Sequence, residues 1–282
     1  MLTVLEAIKL ATEYFEKKEI ESARRNAELL LAHLLNCKRL DLYLMFERPL
    51  NEDEIDSYRE LIARRGKYEP VQYIIGYEEF FGLKFLVDKS VLIPRPETEI
   101  LVETIINSYN GISNLKVLDI GTGSGNIAVS LKKYLNIESL DAIDISDEAI
   151  NIARKNAELN LVSGINFSRQ NVLNGFVSNA RYDLIVSNPP YISEADYESL
   201  QKEILLFEPK GALSDNSDGL EFYRRIIKFS CNNLNTNGKL FFELGNDQSN
   251  QVEKLLTESN FKNIAVIKDY QQIDRVISGE KS

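Results

Sequence analysis

The spacing of apolar residues divides the chain into three parts. In residues 1–75, apolar side chains recur every three or four positions, which predicts amphipathic helices. The first series consists of Val4, Leu5, Ile8, Ala11 and Phe15. Asn51 and Glu54 match the capping box that starts a helix. We therefore predict a small helical bundle, the first domain, over residues 1–75.

Residues 76–95 follow a different pattern. Two apolar runs, residues 80–87 and 91–93, flank the polar residues 88–90. Apolar runs on either side of a turn-forming cluster predict a β-hairpin. We interpret this hairpin as a linker between two domains.

From residue 96 to residue 282, helical segments alternate with short apolar runs. Pro96 is expected to open a helix, because proline is favoured in the first helical turn. Strands are predicted at residues 116–120, 140–144, 165–167, 182–187, 239–244, 263–268 and 274–278. Such alternation is typical of a parallel sheet covered by helices. We predict an α/β second domain over residues 96–282, with a mostly parallel seven-stranded sheet.

The composition narrows the class of protein. The chain has 282 residues, of which 44% are hydrophobic and 27% charged, as in soluble proteins of about two domains. No apolar run approaches the roughly 18 residues of a membrane span, and the first residues do not resemble a signal peptide. Cys37 and Cys231 are too far apart in sequence to indicate a disulfide framework or a metal site. We expect a reduced, cytoplasmic protein with no membrane association and no metal.

The histidine count and the net charge argue against two function classes. The single histidine, His33, lies in a leucine-rich helical stretch, so a Ser-His-Asp mechanism or a histidine-based metal site is not expected. The formal net charge is −10. Binding to a phosphate backbone depends on Lys and Arg, so nucleic acid is not expected as the main partner.

A glycine-rich loop follows the predicted strand 116–120. Gly121, Gly123 and Gly125 allow the backbone to approach a ligand closely at the start of a helix. Residue 126 is Asn, where the dinucleotide fingerprint requires glycine, and this argues against a nicotinamide cofactor. The candidate cofactor loop is Gly121, Thr122, Gly123, Ser124 and Gly125.

Polar side chains follow the next two predicted strands. Asp144 ends a strand and can accept hydrogen bonds from both hydroxyls of a ribose. A helix-capping role for Asp144 is the alternative, although Ser146 and Asp147 are better placed for it. Asn171, with Val172 beside it, lies where the edge of an adenine would be expected. A turn role for Asn171 is nearly as well supported.

The most informative stretch is the corner Asn188-Pro189-Pro190-Tyr191, directly after the strand 182–187. The carboxyl ends of strands are where α/β sheets bind ligands. The Asn188 side chain and the Pro189 carbonyl can present two acceptors on a stiff backbone, and Tyr191 can form a flat apolar wall. Two acceptors suit a planar NH2 group, either an amide or an exocyclic base amine. A proline turn with an asparagine cap is the alternative.

Taken together, these motifs resemble those of a known family. The loop at residues 119–125 and Asp144 are similar to the cofactor site of class I S-adenosylmethionine-dependent methyltransferases, a Rossmann-like fold. The corner resembles the signature of members that methylate amino groups. With residues 94–99 and the helical N-terminal part, the chain resembles the HemK/PrmC family, protein-(glutamine-N5) methyltransferases that act on peptide chain release factors. Further positions resemble the family at Glu208-Pro209, Ala212-Leu213, Gly219-Leu220, Tyr223, Glu243 and Asp274-Arg275-Val276.

The resemblance implies roles for particular residues. S-adenosylmethionine, which leaves as S-adenosylhomocysteine, is expected to contact the glycine loop, Asp144, Asn171, Val172 and Asn188. Asn188, Pro189 and Tyr191 are expected to be catalytic. Substrate contacts are expected from Pro190, Arg95 and Pro96 in addition to the catalytic residues. The family usually has an acidic residue near the adenine, where this chain has Asn171.

The resemblance also implies a partner. The helical domain and the hairpin would hold the release factor so that the glutamine of its Gly-Gly-Gln motif reaches the corner. Nothing in the sequence requires more than a monomer. Two rival functions stay open: methylation of an adenine or guanine amine in a nucleic acid, and cofactor binding without catalysis.

Overall fold

The computed structural model describes residues 1–174, 178 and 180–282. It contains two compact units. The helical unit comprises Met1–Tyr77 and Gln201–Phe207, and the sheet unit comprises Glu78–Leu200 and Glu208–Ser282. The chain therefore passes from one unit to the other three times.

Most of the described residues belong to helices or strands. The α-helices are α1 (Val4–Lys17), α2 (Ala23–Leu34), α3 (Glu52–Arg65), α4 (Val71–Ile75), α5 (Pro96–Tyr109), α6 (Asn126–Tyr134), α7 (Asp147–Leu159), α8 (Glu194–Tyr197), α9 (Lys202–Phe207), α10 (Glu221–Asn233) and α11 (Ser249–Glu258). The strands are β1 (Tyr77–Phe80), β2 (Leu83–Leu86), β3 (Leu115–Ile120), β4 (Ile137–Asp144), β5 (Ile165–Arg169), β6 (Tyr182–Ser187), β7 (Leu234–Glu243), β8 (Phe261–Lys268) and β9 (Asp274–Lys281).

The helical unit forms where the helical spacing predicts it. The apolar face of α1 is buried in the core of the unit together with apolar residues of α2. At the start of α3, Asn51 Oδ1 accepts a hydrogen bond from the Glu54 N–H at 2.8 Å, and Glu54 Oε2 accepts one from the Asn51 N–H at 3.0 Å. This reciprocal pair is the predicted capping box.

Helix α9 lies in the helical unit although it is far from that unit in sequence. The Arg65 side chain is buried and donates to Asn26 Oδ1 at 2.7 Å and to the Glu69 carbonyl at 3.2 Å. Its remaining nitrogen, Nη2, pairs with the carboxylate of Glu203, on α9. A buried guanidinium needs such partners because an unpaired buried charge is costly. The ion pair thus attaches α9 to the helical bundle.

The seven-stranded sheet has the order β5-β4-β3-β6-β7-β9-β8. Strand β9 is antiparallel to β7 and β8, while the other neighbouring pairs are parallel. This arrangement confirms the predicted fold class. From the central β3 the chain builds one half of the sheet through β4 and β5, and then crosses to β6 on the other side of β3. Ligands bind at such a switch point in open α/β sheets.

Helices cover both faces of this sheet. Apolar residues of α5, α6 and α7 pack on one face, and those of α10 and α11 on the other. Val117 and Leu118 are neighbours on β3 that face opposite cores, and both are wholly buried. Burial on both faces explains why the central strands read as continuous apolar runs in the sequence.

A hairpin forms within the predicted residues 76–95, and β2 lies inside the predicted strand 80–87, but the predicted strand 91–93 does not form. The hairpin is formed by β1 and β2, and its two-residue turn consists of Phe81 (φ 50°) and Gly82 (φ 71°). Positive φ at both central residues matches the twist of a two-residue hairpin, but phenylalanine rarely adopts it. Asp88 does form a turn, since its side chain accepts from the Ser90 N–H at 2.8 Å, but no strand follows it.

Candidate active site

The predicted cofactor loop and the predicted corner lie side by side. Ile120, the last residue of β3, pairs with Ile143 on β4 and with Ser187 on β6. The glycine loop, Asp144 and Asn188 therefore emerge at the carboxyl ends of three adjacent parallel strands. A Cβ atom built on Gly121 would lie 4.0 Å from the carbonyl oxygen of Asn188. The sheet thus brings together the motifs that the sequence singled out separately.

The three glycines of the loop have different roles. All three have positive φ, at 76° for Gly121, 52° for Gly123 and 81° for Gly125. A Cβ on Gly125 would lie 3.0 Å from the Ala153 side chain, so this glycine allows the loop to pack against α7. A Cβ on Gly123 would meet nothing within 4 Å. The open side of the loop, where a ligand can approach the backbone, is at Gly123.

Asp144 is tied to the loop and to the start of α7. Its Oδ2 accepts from the Gly123 N–H at 2.9 Å, and its Oδ1 accepts from the Ser146 N–H at 3.0 Å. Burial raises the pKa of the Asp144 carboxyl, and these two backbone hydrogen bonds oppose the shift. Ser146, as expected, caps α7 by accepting from the Ala149 N–H at 3.1 Å. Each carboxylate oxygen of Asp144 keeps a lone pair for a further donor.

The side chains of Thr122 and Ser124 are buried within the loop. Thr122 Oγ1 donates to Asp119 Oδ2 at 2.7 Å, and Ser124 Oγ donates to Asn126 Oδ1 at 3.3 Å. Asp119 is wholly buried, its other oxygen accepts from none of the described residues, and burial raises its pKa to about 7. Both hydroxyls are thus used within the loop, and cofactor contacts of Thr122 and Ser124 stay predictions.

The predicted adenine contacts follow β5. Asn171 Oδ1 accepts from the Leu173 N–H at 2.9 Å, which is the turn role that the sequence left open. Val172 packs against the apolar core on the α10 side of the sheet. An adenine contact through Asn171 stays a prediction.

At the corner, Asn188 is held by two residues from other elements. Asn188 Nδ2 donates to Thr98 Oγ1 at 3.2 Å, and Thr98 Oγ1 donates to Glu243 Oε2 at 2.6 Å. Thr98 lies in the first turn of α5, which Pro96 opens, and Glu243 ends β7. Among the described residues, none donates a hydrogen bond to Asn188 Oδ1 or to the Pro189 carbonyl. The corner therefore offers two acceptor oxygens.

The Gln248 side chain forms hydrogen bonds that hold the backbone of the corner. Its Nε2 donates to the Tyr191 carbonyl at 2.9 Å and to the Gly219 carbonyl at 3.3 Å. Its Oε1 accepts from the Gly245 N–H at 3.2 Å and lies 3.3 Å from the Tyr223 hydroxyl, which donates its proton to the nearer Glu243 carbonyl. The carbonyl end of Tyr191 is therefore fixed, while burial raises the pKa of its phenol.

Arg95 and Pro96 stand beside the corner in the chain segment that leads into α5. The Arg95 guanidinium pairs with the buried carboxylate of Glu208, which also accepts from the Ile93 N–H at 3.3 Å. Substrate contacts of Arg95, Pro96 and Pro190 stay predictions.

Sequence reasoning gave no site role to Thr98, Glu243 or Gln248. The sequence carried one usable signal, a glutamate in the apolar run 239–244 of a central strand. A carboxylate there must be buried, and buried carboxylates occur where they have partners and a function.

Gly219 is expected to be required for the geometry of the corner. A Cβ at Gly219 would lie 2.4 Å from the Tyr191 carbonyl oxygen and 2.9 Å from Gln248 Nε2. Gly219→Ala should therefore displace the corner and lower the rate of methyl transfer on the order of 10²-fold. Gly111→Ala is the matched control, since φ is 78° at Gly111 and 79° at Gly219 but nothing lies within 4 Å of a Cβ at Gly111. Equal transfer rates for the two variants would contradict this prediction.

Comparison with known proteins identifies the family to which the chain is similar. Two family models match the chain, the PrmC N-terminal domain at residues 6–76 and the methyltransferase small domain at residues 96–219. A release factor glutamine methyltransferase of Rhodopirellula baltica is 40% identical over 287 residues, covering 99% of this chain and 97% of the relative. The enzyme of the same name from Geobacter sulfurreducens is 41% identical, covering 98% of this chain and 96% of the relative.

Solved structures share the fold at lower identity. A methyltransferase from Pyrococcus furiosus superimposes with a TM-score of 0.53 at 20% identity, covering 72% of this chain and 91% of that one. The catalytic domain of hMettl16 superimposes with a TM-score of 0.55 at 20% identity, covering 78% of this chain and 81% of that one. At this identity the similarity concerns the fold alone.

Proposed function

The chain belongs to the release factor glutamine methyltransferase family, and we propose that it methylates the side-chain amide nitrogen (N5) of the glutamine in the Gly-Gly-Gln motif of peptide chain release factors. The methyl donor is S-adenosylmethionine. The observation that carries the proposal is the pair of acceptor oxygens, on Asn188 and Pro189, next to a glycine loop at the switch point of the sheet. Relatives about 40% identical over nearly the whole chain have this activity in their names.

The residues at the strand ends fit this cofactor. The open side of the loop at Gly123 can receive a ligand against the backbone, and the Asp144 carboxylate beside it can accept hydrogen bonds from two ribose hydroxyls. The described residues include no cluster of three or more His, Cys, Asp or Glu side chains able to hold a metal ion. When bound, S-adenosylmethionine supplies a methyl group on a positively charged sulfur.

The difficult partner in this reaction is the amide nitrogen, whose lone pair is delocalised into its carbonyl. Asn188 Oδ1 and the Pro189 carbonyl accept its two N–H bonds and hold the nitrogen at near-attack distance. Their positions favour a tetrahedral nitrogen over the planar ground state, which stabilises the transition state selectively. Tyr191 packs against the glutamine side chain. The nitrogen releases one proton after it gains the methyl group, so no strong base is required.

The release factor is the proposed partner of the helical unit. That unit exposes apolar side chains that its core does not use, among them Leu10 (58% exposed), Leu40 (68%) and Leu44 (88%). A protein partner can bury such residues. No helix among the described residues is long and apolar enough to cross a membrane. We further propose that the enzyme is a monomer and acts in the cytoplasm, where release factors work.

The competing substrate is the amine of a flipped nucleic-acid base, which the same two acceptors would fit. The net charge of −10 disfavours it. Transfer from labelled S-adenosylmethionine should be measured in parallel with purified release factor, with the factor whose Gly-Gly-Gln glutamine is replaced by alanine, and with total RNA and DNA. Label on the intact factor alone is the expected result. Label on nucleic acid would overturn the substrate.

A further inference from the structure

We infer that Glu243, acting through Thr98, fixes the orientation of the Asn188 amide so that its oxygen faces the substrate nitrogen. Glu243 and Thr98 are thus positioning residues, and neither contacts the substrate. The inference rests on the proposed function in one respect only, namely that the group to be methylated carries two N–H bonds.

The three side chains form a continuous chain of hydrogen bonds. Asn188 Nδ2 lies 3.2 Å from Thr98 Oγ1, and Thr98 Oγ1 lies 2.6 Å from Glu243 Oε2. Thr98 is 1% exposed and Glu243 is 2% exposed, so water does not compete for the bond between them, while the bond to Asn188 is partly buried. The Tyr223 hydroxyl also donates to the Glu243 carbonyl at 2.8 Å, which fixes the backbone from which the carboxylate extends.

The direction of each bond follows from what each group can donate. An ionised carboxylate only accepts, so the Thr98 hydroxyl must donate its single proton to Glu243. Thr98 Oγ1 is then left with lone pairs alone and can only accept from Asn188. The Asn188 NH2 group must therefore point to Thr98, and its Oδ1 must point away from it. The buried carboxylate thereby sets the polarity of the site.

The reversed amide would disable the corner. With Asn188 turned over, an NH2 group would face the NH2 group of the substrate, and two donors cannot form a hydrogen bond. The site would keep only the Pro189 carbonyl as an acceptor. Thr98 Oγ1 and Asn188 Oδ1 would also face each other as two acceptors without a proton between them. Both faults raise the free energy of the reversed form, because unpaired buried polar groups are costly.

The second carboxylate oxygen of Glu243 links this series of hydrogen bonds to the Tyr191 ring. The Tyr191 hydroxyl lies 3.5 Å from Glu243 Oε1, at the long limit of a hydrogen bond. The Glu243 carboxylate therefore contacts Thr98, which positions the Asn188 amide, and also Tyr191, which forms the flat wall. This arrangement gives the buried carboxylate at the end of a central strand a role in the site.

The orientation should depend on pH. Burial, with a smaller contribution from Glu97, raises the pKa of Glu243 to about 7, while Thr98, Arg275 and Arg95 oppose the shift. The hydroxyls of Tyr191 and Tyr223 are further titratable groups close to Glu243. Below a pH of about 7 a protonated Glu243 can donate to Thr98, and the hydroxyl can then donate to a reversed Asn188. We expect kcat to fall as the pH falls through about 7.

The test compares three substitutions on one helix. Thr98→Val removes the hydroxyl with little change in shape, and should lower kcat on the order of 10²-fold because the acceptor is misplaced. Thr98→Ser keeps the hydroxyl and should restore most of that loss. Thr104→Val is the control, since Thr104 also lies on α5 but its hydroxyl donates to the backbone carbonyl of Ile100, at 2.7 Å, within the same helix. Thermal unfolding and S-adenosylmethionine affinity should show that each variant is folded and binds the cofactor.

A second measurement reports the orientation of the Asn188 side-chain amide in the absence of substrate. In protein labelled with 15N-asparagine, the side-chain NH2 signals of Asn188, identified by their loss in Asn188→Asp, should exchange slowly with solvent. The protection should be lost in Thr98→Val and kept in Thr98→Ser and Thr104→Val. Normal kcat for Thr98→Val, failure of Thr98→Ser to rescue it, or unchanged exchange in Thr98→Val would overturn the inference.

The kcat of each variant is measured with the NH2-bearing substrate that the wild-type enzyme methylates in the parallel labelling assay. If that substrate is a nucleic-acid base, the release factor proposal fails, and the same three variants still decide whether Glu243 and Thr98 orient Asn188. The two failures therefore give different results.

Discussion

Replacing Asn188 with alanine is expected to lower the rate of methyl transfer to a release factor by about 10³-fold. The variant loses one of the two oxygens that hold the amide nitrogen, so the transition state loses stabilisation that the ground state hardly uses. It also leaves Thr98 Oγ1 without the hydrogen bond that Asn188 Nδ2 donates at 3.2 Å. Cofactor affinity is expected to change little, because the glycine loop and Asp144 are untouched.

The assay should follow incorporation of labelled methyl groups, with S-adenosylmethionine binding measured by calorimetry on the same protein. Asn166→Ala is the matched control, because the Asn166 side chain lies on the exposed side of β5 and bonds to Asp141 Oδ1 at 2.9 Å. A loss of cofactor affinity that accounts for the whole loss of rate would mean that Asn188 holds the cofactor instead. Normal turnover would contradict the assignment of the corner.

Replacing Asp144 with alanine is expected to raise the dissociation constant of S-adenosylmethionine by about 10²-fold. Hydrogen bonds to a charged group are worth roughly 1.5–3 kcal/mol each, and about 1.4 kcal/mol corresponds to a factor of ten. The variant also frees the Gly123 N–H, which donates to Asp144 Oδ2 at 2.9 Å, so the open side of the loop loses its anchor. Both effects weaken cofactor binding.

Calorimetry with S-adenosylmethionine and with S-adenosylhomocysteine should show the same loss, because both contain the ribose. Asp147→Ala controls for the loss of a nearby negative charge, since the Asp147 side chain is 63% exposed and pairs with Arg169 at the surface. The ribose assignment would fail if the two variants bound the cofactor equally well.

Much of the architecture could be predicted from local sequence. Strand β6 occupies the predicted residues 182–187, because an apolar run that ends in two prolines allows one local structure. The glycine loop and the corner could be identified for the same reason. Positive φ, a missing N–H and a side-chain amide are properties of the residues themselves.

The errors in the prediction have both local and long-range causes. The hairpin turn at Phe81-Gly82 was missed because only its second residue is a typical turn former. Residues 88–90 have the composition of a turn and form one, but composition does not say which strands a turn joins. Helix α9 gave no signal of its own, since its place in the helical unit depends on the pairing of Glu203 with Arg65, 138 positions away.

What the sequence determined by itself is the chemistry that the chain can offer: a loop open to a ligand, an acid for a ribose, and a corner with an amide and two prolines. What only the tertiary structure decided is which way that amide points. Asn188 and Thr98 are 90 positions apart, and Thr98 and Glu243 are 145 apart. The order of the strands and the docking of α5 bring them together. A side-chain amide has a donor end and an acceptor end of almost equal size, so only its distant partners can distinguish them.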